Sequence, residues 1–295
     1  MRLPISRSYI VIVNALAGLL LVVAVVLGAT RAESESPSGA ERVLSVGGSI
    51  TEIVFALGEA DRLIARDSTS RFPPEAADLP DVGYMRALSP EGVLSVAPDL
   101  IIAEEGSGPA ATIDVLEQAE VEFVTIPDGY DREAVRIKIL AVAEALGVEA
   151  AGEKLAAEVD AALEEAEAAS LNTGSPKKVL FILSTRGGRI MASGTNTAAD
   201  GIITLAGGEN AITAFEGYKL LTDEAVAAAA PDVILMMDRG DHSAPNEELF
   251  AMPSLITTPA AAGENVVRIN GLLLLGFGPR TPEAVTKLNE ALYGG

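Results

Sequence analysis

The chain has 295 residues and a formal net charge of −21 at pH 7, which argues against nucleic acid and anionic membrane surfaces as partners. It has no cysteine, and so no disulfide framework, thiolate metal site, cysteine nucleophile or cysteine for lipid attachment. Nearly half the residues are apolar, but Trp is absent and aromatics make up 4%, so a core large enough for two domains must be aliphatic.

Arg2 and Arg7 form a basic start before a long apolar run over 9–28, and Thr30-Arg31-Ala32 offers small residues before Glu33. This pattern predicts a secretory signal peptide over 1–32, cleaved after Ala32. Its loss removes three Arg and no acid, leaving a charge of about −24. About 20 apolar residues can also span a bilayer, so an uncleaved anchor is the competing reading. The polar stretch 33–41 is expected to be a disordered leader.

A first strand is predicted over 42–46, closed by Gly47-Gly48. Ser49 with Glu52 three residues on forms a capping-box pattern for a helix that stops at Gly58. Strands follow at 63–65, 99–103 and 123–126, with a helix from Ser89-Pro90-Glu91 between them. Strands alternating with helices predict parallel sheets. Over 131–170 apolar residues recur at Val135, Ile139, Val142, Leu146, Leu155, Val159 and Leu163, helical spacing for about ten turns with a bend at Gly147 or Gly152. Such a helix suits a rigid spine between two lobes. The second half gives strands at 178–183, 189–192, 233–237 and 266–269, a helix from Thr197, and a closing helix over 282–293.

The halves also echo each other. Gly83-Tyr84-Met85-Arg86 leads into LSPEGVLSVAPDLII, and Gly217-Tyr218-Lys219-Leu220 leads into LTDEAVAAAAPDVIL. The expected fold is therefore α/β, with two similar parallel-sheet lobes, an N-terminal lobe over 42–130, a linking helix over 131–170 and a C-terminal lobe over 176–295, and a ligand cleft between the lobes.

The chemistry concentrates in a few places. In an extended segment Tyr84 and Arg86 would point the same way, placing a phenol beside a guanidinium. Ferric iron favours a phenolate, and Arg favours the anion. The alternative is a rim aromatic beside an ion-paired arginine. In Leu275-Gly276-Phe277-Gly278-Pro279-Arg280, Phe277 could stack on a flat ligand and Arg280 could bind an anion bidentately; a solvated helix start is the alternative. Arg186 with Gly187-Gly188 is a comparable loop at a strand end. His242 is the single histidine, so a histidine metal cluster is impossible; it is either a solvated loop residue or a second iron ligand. Gly47-Gly48-Ser49 lacks the spacing and Lys of a phosphate loop. Glu104-Glu105 and Glu164-Glu165 read as solvated faces. No nucleophile–base pair marks an enzyme.

The segments VLSVGGSITEIVFALG, GYMRALSPEGVLSVAPDLIIAEEGSGP, SGTNTAADGIITLAGGENA, GYKLLTDEAVAAAAPDVIL and LGFGPRTPEA resemble the periplasmic haem-binding proteins of bacterial haem-uptake ABC transporters, within the wider family that binds cobalamin and ferric siderophores. The resemblance runs from Arg42 to the C-terminus. It implies haem as the transported ligand, Tyr84 as its axial iron ligand, Arg86 beside it, Arg280 and Arg186 toward the propionates, and Met85 and Phe277 as wall. It also implies docking on an ABC permease and its ATPase through one acid per lobe, Glu52 and Glu216, with Glu224 close to the second position. Some members have a histidine in the loop after the first strand of the second lobe, used for a second haem or as an extra contact; Ser184-Thr185-Arg186-Gly187-Gly188 has none, which argues against a His-ligated second haem. The implied protein is a periplasmic monomer that meets the membrane only through its permease, and its lobes move little. A siderophore or corrinoid is the alternative ligand.

Overall fold

The computed structural model describes residues 39–170, 175–238 and 244–294. The expected signal peptide, most of the leader and His242 lie outside them. Among the described residues no helix is long and apolar enough to cross a membrane.

The first lobe is built on four parallel strands, β1 (Val43–Val46), β2 (Leu63–Arg66), β3 (Leu100–Glu104) and β4 (Glu122–Ile126), in the order β2-β1-β3-β4. β1 and β3 occupy the centre and run almost wholly apolar, as strands covered on both faces must. Helices α1 (Gly48–Ala56), α2 (Pro90–Leu94) and α3 (Ala110–Glu117) make the crossovers. Ser89 caps α2 by accepting a hydrogen bond from the Gly92 amide, with Pro90 in the first turn. The expected cap at Ser49 is not formed. Helix α1 starts two residues earlier, with Gly47 at φ 114° as N-cap and no side-chain cap bond, and the Ser49 hydroxyl donates instead to Glu104 at 2.7 Å.

The predicted spine is two helices, α4 (Arg132–Leu146) and α5 (Glu149–Ser170). The chain reverses at Gly147, which holds the left-handed conformation at φ 70° and closes α4. Gly152 lies inside α5, where an added Cβ would sit 2.3 Å from Ala143 Cβ; its smallness brings the antiparallel pair together. At the other end Arg132 of α4 pairs with Asp160 and Glu164 of α5. The long helical stretch is thus a hairpin, with α4 against the first sheet and α5 running back.

The second lobe holds β5 (Lys178–Ser184), β6 (Met191–Ser193), β7 (Glu209–Asn210), β8 (Tyr218–Leu220), β9 (Val233–Met237) and β10 (Val266–Ile269). Their order is β10-β9-β5-β6-β8, with β7 beside the start of β5. β10, β9, β5 and β7 are parallel; β6 and β8 are antiparallel additions. Helices α6 (Ala198–Leu205), α7 (Asp223–Ala229), α8 (Asn246–Phe250), α9 (Pro259–Ala262), α10 (Gly271–Leu275) and α11 (Thr281–Tyr293) surround it. The internal repeat diverges where it was most suggestive. Gly217-Tyr218-Lys219-Leu220 forms edge strand β8 against β6, whereas Gly83-Tyr84-Met85-Arg86 forms a turn.

One buried aliphatic cluster runs through both lobes. It joins Ile53 and Ile102 of the first, Ile139, Val159 and Leu163 of the hairpin, and Phe181, Ile203 and Leu288 of the second. Shared core of this kind resists relative rotation, because packed interiors do not deform continuously.

Candidate functional site

Both sheets aim the carboxyl ends of their parallel strands at one cleft, the position where open α/β sheets bind ligands. Its walls come from Gly48 and Ser49 after β1, Thr69 after β2, Glu104 and Glu105 at the end of β3, and Asp128 and Tyr130 after β4. The second lobe contributes Leu183 from β5, Met237 from β9, and Leu272, Leu275 and Gly276 after β10. This part encloses about 420 Å³, and a contiguous part toward Asn196, Thr197 and Asp200 adds about 600 Å³. Arg86, Glu105, Asp128 and Tyr130 line both parts. The space is of the size that holds cofactor-like ligands, about 300–1,000 Å³.

Tyr84, Met85 and Arg86 all line the cleft, but not through an extended strand. The Ala87 amide donates to the Tyr84 carbonyl at 2.7 Å, closing a turn with Met85 and Arg86 at its corner. Gly83 enters that turn at φ 104°, a conformation that favours glycine. The turn is tied down from both sides. Ser68 donates to the Gly83 carbonyl at 2.8 Å, and Gly108 to the Met85 carbonyl at 2.8 Å. Met85 therefore turns inward as wall at 8% exposure, while Tyr84 stands 48% exposed. Behind the neighbouring rim, buried Asp67 accepts hydrogen bonds from the Gly47 amide and from the Thr69 and Ser70 hydroxyls, fixing the Thr69 loop.

Two further tyrosines face the same space and were not anticipated as site residues. Tyr130 packs its ring edge-on against Phe277, with centroids 5.6 Å apart. Burial, and then the charge and hydrogen bond of Asp128, push its phenol up to about 12. Tyr218 comes from the opposite lobe. Burial pushes its phenol up as well, against a hydrogen bond from Thr197. Both hydroxyls favour the neutral form, and Tyr84 is the most exposed of the three tyrosines that line the cleft.

Beneath the floor lies Lys138 of α4, fully buried. Its ammonium donates to Glu104 at 2.6 Å and to Asp128 at 2.8 Å, and it lies 3.4 Å from the Gly276 carbonyl of the second lobe. Burial opposes the charge, but the two carboxylates outweigh it and hold the lysine above its ordinary value. Glu104 is consequently a cleft-floor ion-pair partner, not the solvated acid expected. The signal for Lys138 was present: it falls on the buried stripe of Val135, Ile139 and Val142, where a lysine needs a partner.

Three expected contacts do not reach the cleft. Phe277 is 1% exposed, so it buttresses Tyr130 instead of stacking on a ligand. Arg280 is engaged by Glu52, with its Nε 3.0 Å from Oε2 and its Nη2 bound to Oε1, and its guanidinium lies 3.5 Å over the Phe72 ring. That pairing also buries Glu52 to 6% exposure, so the acid is not presented to a docking partner. Arg186 is exposed in the turn between β5 and β6, outside the lining of the cleft. Glu216 is exposed ahead of β8. Among the described residues no group of three or more His, Asp or Glu side chains could hold a metal ion.

Known proteins share this fold. The profile of the family described as periplasmic binding protein matches residues 43–271. A solved structure of the periplasmic haem-binding protein BhuT in complex with two haems is 42% identical, with a TM-score of 0.81 over 85% of this chain and 97% of that one. The apo form of the periplasmic haem-binding protein RhuT from Roseiflexus sp. RS-1 is 39% identical, with a TM-score of 0.83 over 87% of this chain and 99% of that one. The vitamin B12-binding protein of Vibrio campbellii is 27% identical over 85% of this chain and 89% of its own length.

Proposed function

The chain belongs to the periplasmic binding protein family, and from that premise we propose that it captures haem in the inter-lobe cleft and delivers it to an ABC-type importer. The observation that carries this is the exposed Tyr84 phenol on a fixed turn within a cleft walled by Met85, Leu183, Met237, Leu272 and Leu275. Haem is flat and largely apolar, with an iron that accepts one phenolate and two propionates that need cationic or solvent-facing surroundings. Tyr84 supplies the axial oxygen. Arg86 lies close enough to the Tyr130 and Tyr218 phenols to favour their anions, and it is the exposed cation of the cleft wall, suited to a propionate. The haem-binding neighbours at 42% and 39% identity support the same ligand.

The protein acts in the periplasm as a monomer after loss of 1–32, and carries its ligand to a permease and its ATPase. Lobes over 42–130 and 176–295 flank the connection at 131–170. Exposed Glu216 is offered as the second-lobe docking acid, while Glu52 serves the lobe contact.

Titration of the purified protein with haemin, followed in the visible region, tests the proposal. Saturable binding that excess cobalamin does not reverse is expected. Binding of cobalamin in preference to haemin would support instead the corrinoid function of the vitamin B12-binding relatives.

A further inference from the structure

The cleft is unexpectedly acidic for a ligand with two carboxylates. Glu104, Glu105, Asp128, Asp131 and Asp200 line it, against one lining cation among the described residues, Arg86. Two of those acids, Glu104 and Asp128, sit on the floor with side chains 13% and 24% exposed, and both close on the ammonium of Lys138, which is 0% exposed. The groups facing that ammonium come from every neighbouring element: Glu104 from β3, Asp128 from the loop after β4, the Ser49 hydroxyl from α1 at 3.5 Å, and the Gly276 carbonyl after α10. Tyr130 adds a phenol hydrogen-bonded to Asp128.

We infer that Lys138 is a specificity-determining residue: buried under the floor, it cancels one of the two floor charges, so that the cleft admits an anionic planar ligand. Lys138 touches no ligand itself. It acts through Glu104 and Asp128, and the three groups together leave one net negative charge where two carboxylates alone would leave two. Several features argue that this is more than packing. A lysine on the buried stripe of α4 could be replaced by an apolar residue of similar length if the carboxylates faced solvent. They face the ligand space instead, in surroundings of low dielectric where one additional charge acts strongly on an anion. Glu104 in turn holds the Ser49 hydroxyl and Asp128 the Tyr130 phenol, while the Lys138 ammonium faces the Gly276 carbonyl.

This inference rests on haem being the ligand, and the experiment separates the two. Wild-type protein, Lys138→Met and Lys138→Met/Glu104→Gln/Asp128→Asn are titrated with haemin and with haemin dimethyl ester, whose propionates carry no charge. Lys138→Met is expected to weaken haemin on the order of tenfold or more and the ester less than about threefold. The triple variant is expected to restore haemin. Glu104→Gln/Asp128→Asn with Lys138 retained covers the case in which Lys138→Met does not fold. It is expected to tighten haemin relative to the ester. Equal weakening of both ligands, or an unchanged ratio in the double variant, overturns the charge role while haem binding stands. Failure of the wild type to bind either porphyrin overturns haem binding and the inference with it.

Discussion

Arg280 of the second lobe grips Glu52 of the first through two parallel hydrogen bonds while lying 3.5 Å over the ring of Phe72. The pair is separated by 228 residues in sequence, so it fastens the beginning of the fold to its end. A bidentate guanidinium–carboxylate pair that also stacks on an aromatic face is the geometry for which arginine is suited and lysine is not. Removing one member leaves the other charge nearly buried and unmatched. Arg280→Ala is therefore expected to lower the unfolding free energy by about 3 kcal/mol, with Arg280→Lys recovering only part of it. Urea unfolding checks this; a loss below about 1 kcal/mol would place the pair among ordinary surface ion pairs.

Burial pushes the Glu52 carboxyl above its ordinary value of 4.5, against the pull of Arg280, and Glu283 adds to the rise. A folded state that holds this proton more tightly than the unfolded chain is favoured at low pH. Its contribution is full below the unfolded value and is lost as pH rises through the folded one. The stability of the wild type relative to Glu52→Gln should accordingly fall as pH rises above the ordinary value of 4.5. A difference that grows with pH over that range contradicts the assignment.

Gly48 is one of the places where the lobes approach closely at the cleft. A Cβ there would meet Leu272 Cδ1 at 2.4 Å and the Thr69 carbonyl at 2.9 Å. Gly48→Ala should cost about 1–3 kcal/mol through overpacking. Leu272→Ala in the same chain should relieve only part, because the Thr69 carbonyl is backbone. Full relief would mean that the leucine alone sets the contact.

The continuous aliphatic cluster that crosses from one lobe through the hairpin to the other predicts a ligand response without wide closure. Small-angle scattering should give the same radius of gyration for free and haemin-loaded protein within about 1 Å. A clear contraction on loading would show that the shared core yields, and that the lobes hinge.

The layered α/β architecture was legible because strand and helix periods are strong local signals. Val43–Val46, Leu63–Arg66, Val233–Met237 and Val266–Ile269 are short apolar runs with turn residues on either side. What the sequence could not convey is that the bend expected at Gly147 or Gly152 is a full reversal. The period of the 131–170 stretch is the same for one helix or a hairpin, and only the left-handed Gly147 and the close approach at Gly152 distinguish them. The site was half legible for a similar reason. Tyr84 and Arg86 stand near each other in sequence and reach the cleft together, through a turn and not a strand. Tyr218, Asp128 and Gly276 join them only through tertiary contacts. Phe277 and Arg280 looked like ligand residues because a Gly-rich loop hides its direction; one turns into the core and the other toward Glu52. Lys138 was visible as a charge on an apolar helical stripe, which in a buried helix implies a partner.

The central claim is that the Tyr84 oxygen, and not that of Tyr130 or Tyr218, binds ferric haem iron. Visible and resonance Raman spectra of the haemin complex, compared among wild type, Tyr84→Phe, Tyr130→Phe and Tyr218→Phe, test it most directly. Phenolate-to-iron bands are expected in the wild type, in Tyr130→Phe and in Tyr218→Phe, and are expected to vanish in Tyr84→Phe. Bands that survive in Tyr84→Phe, or that disappear only with one of the other two tyrosines, contradict the claim.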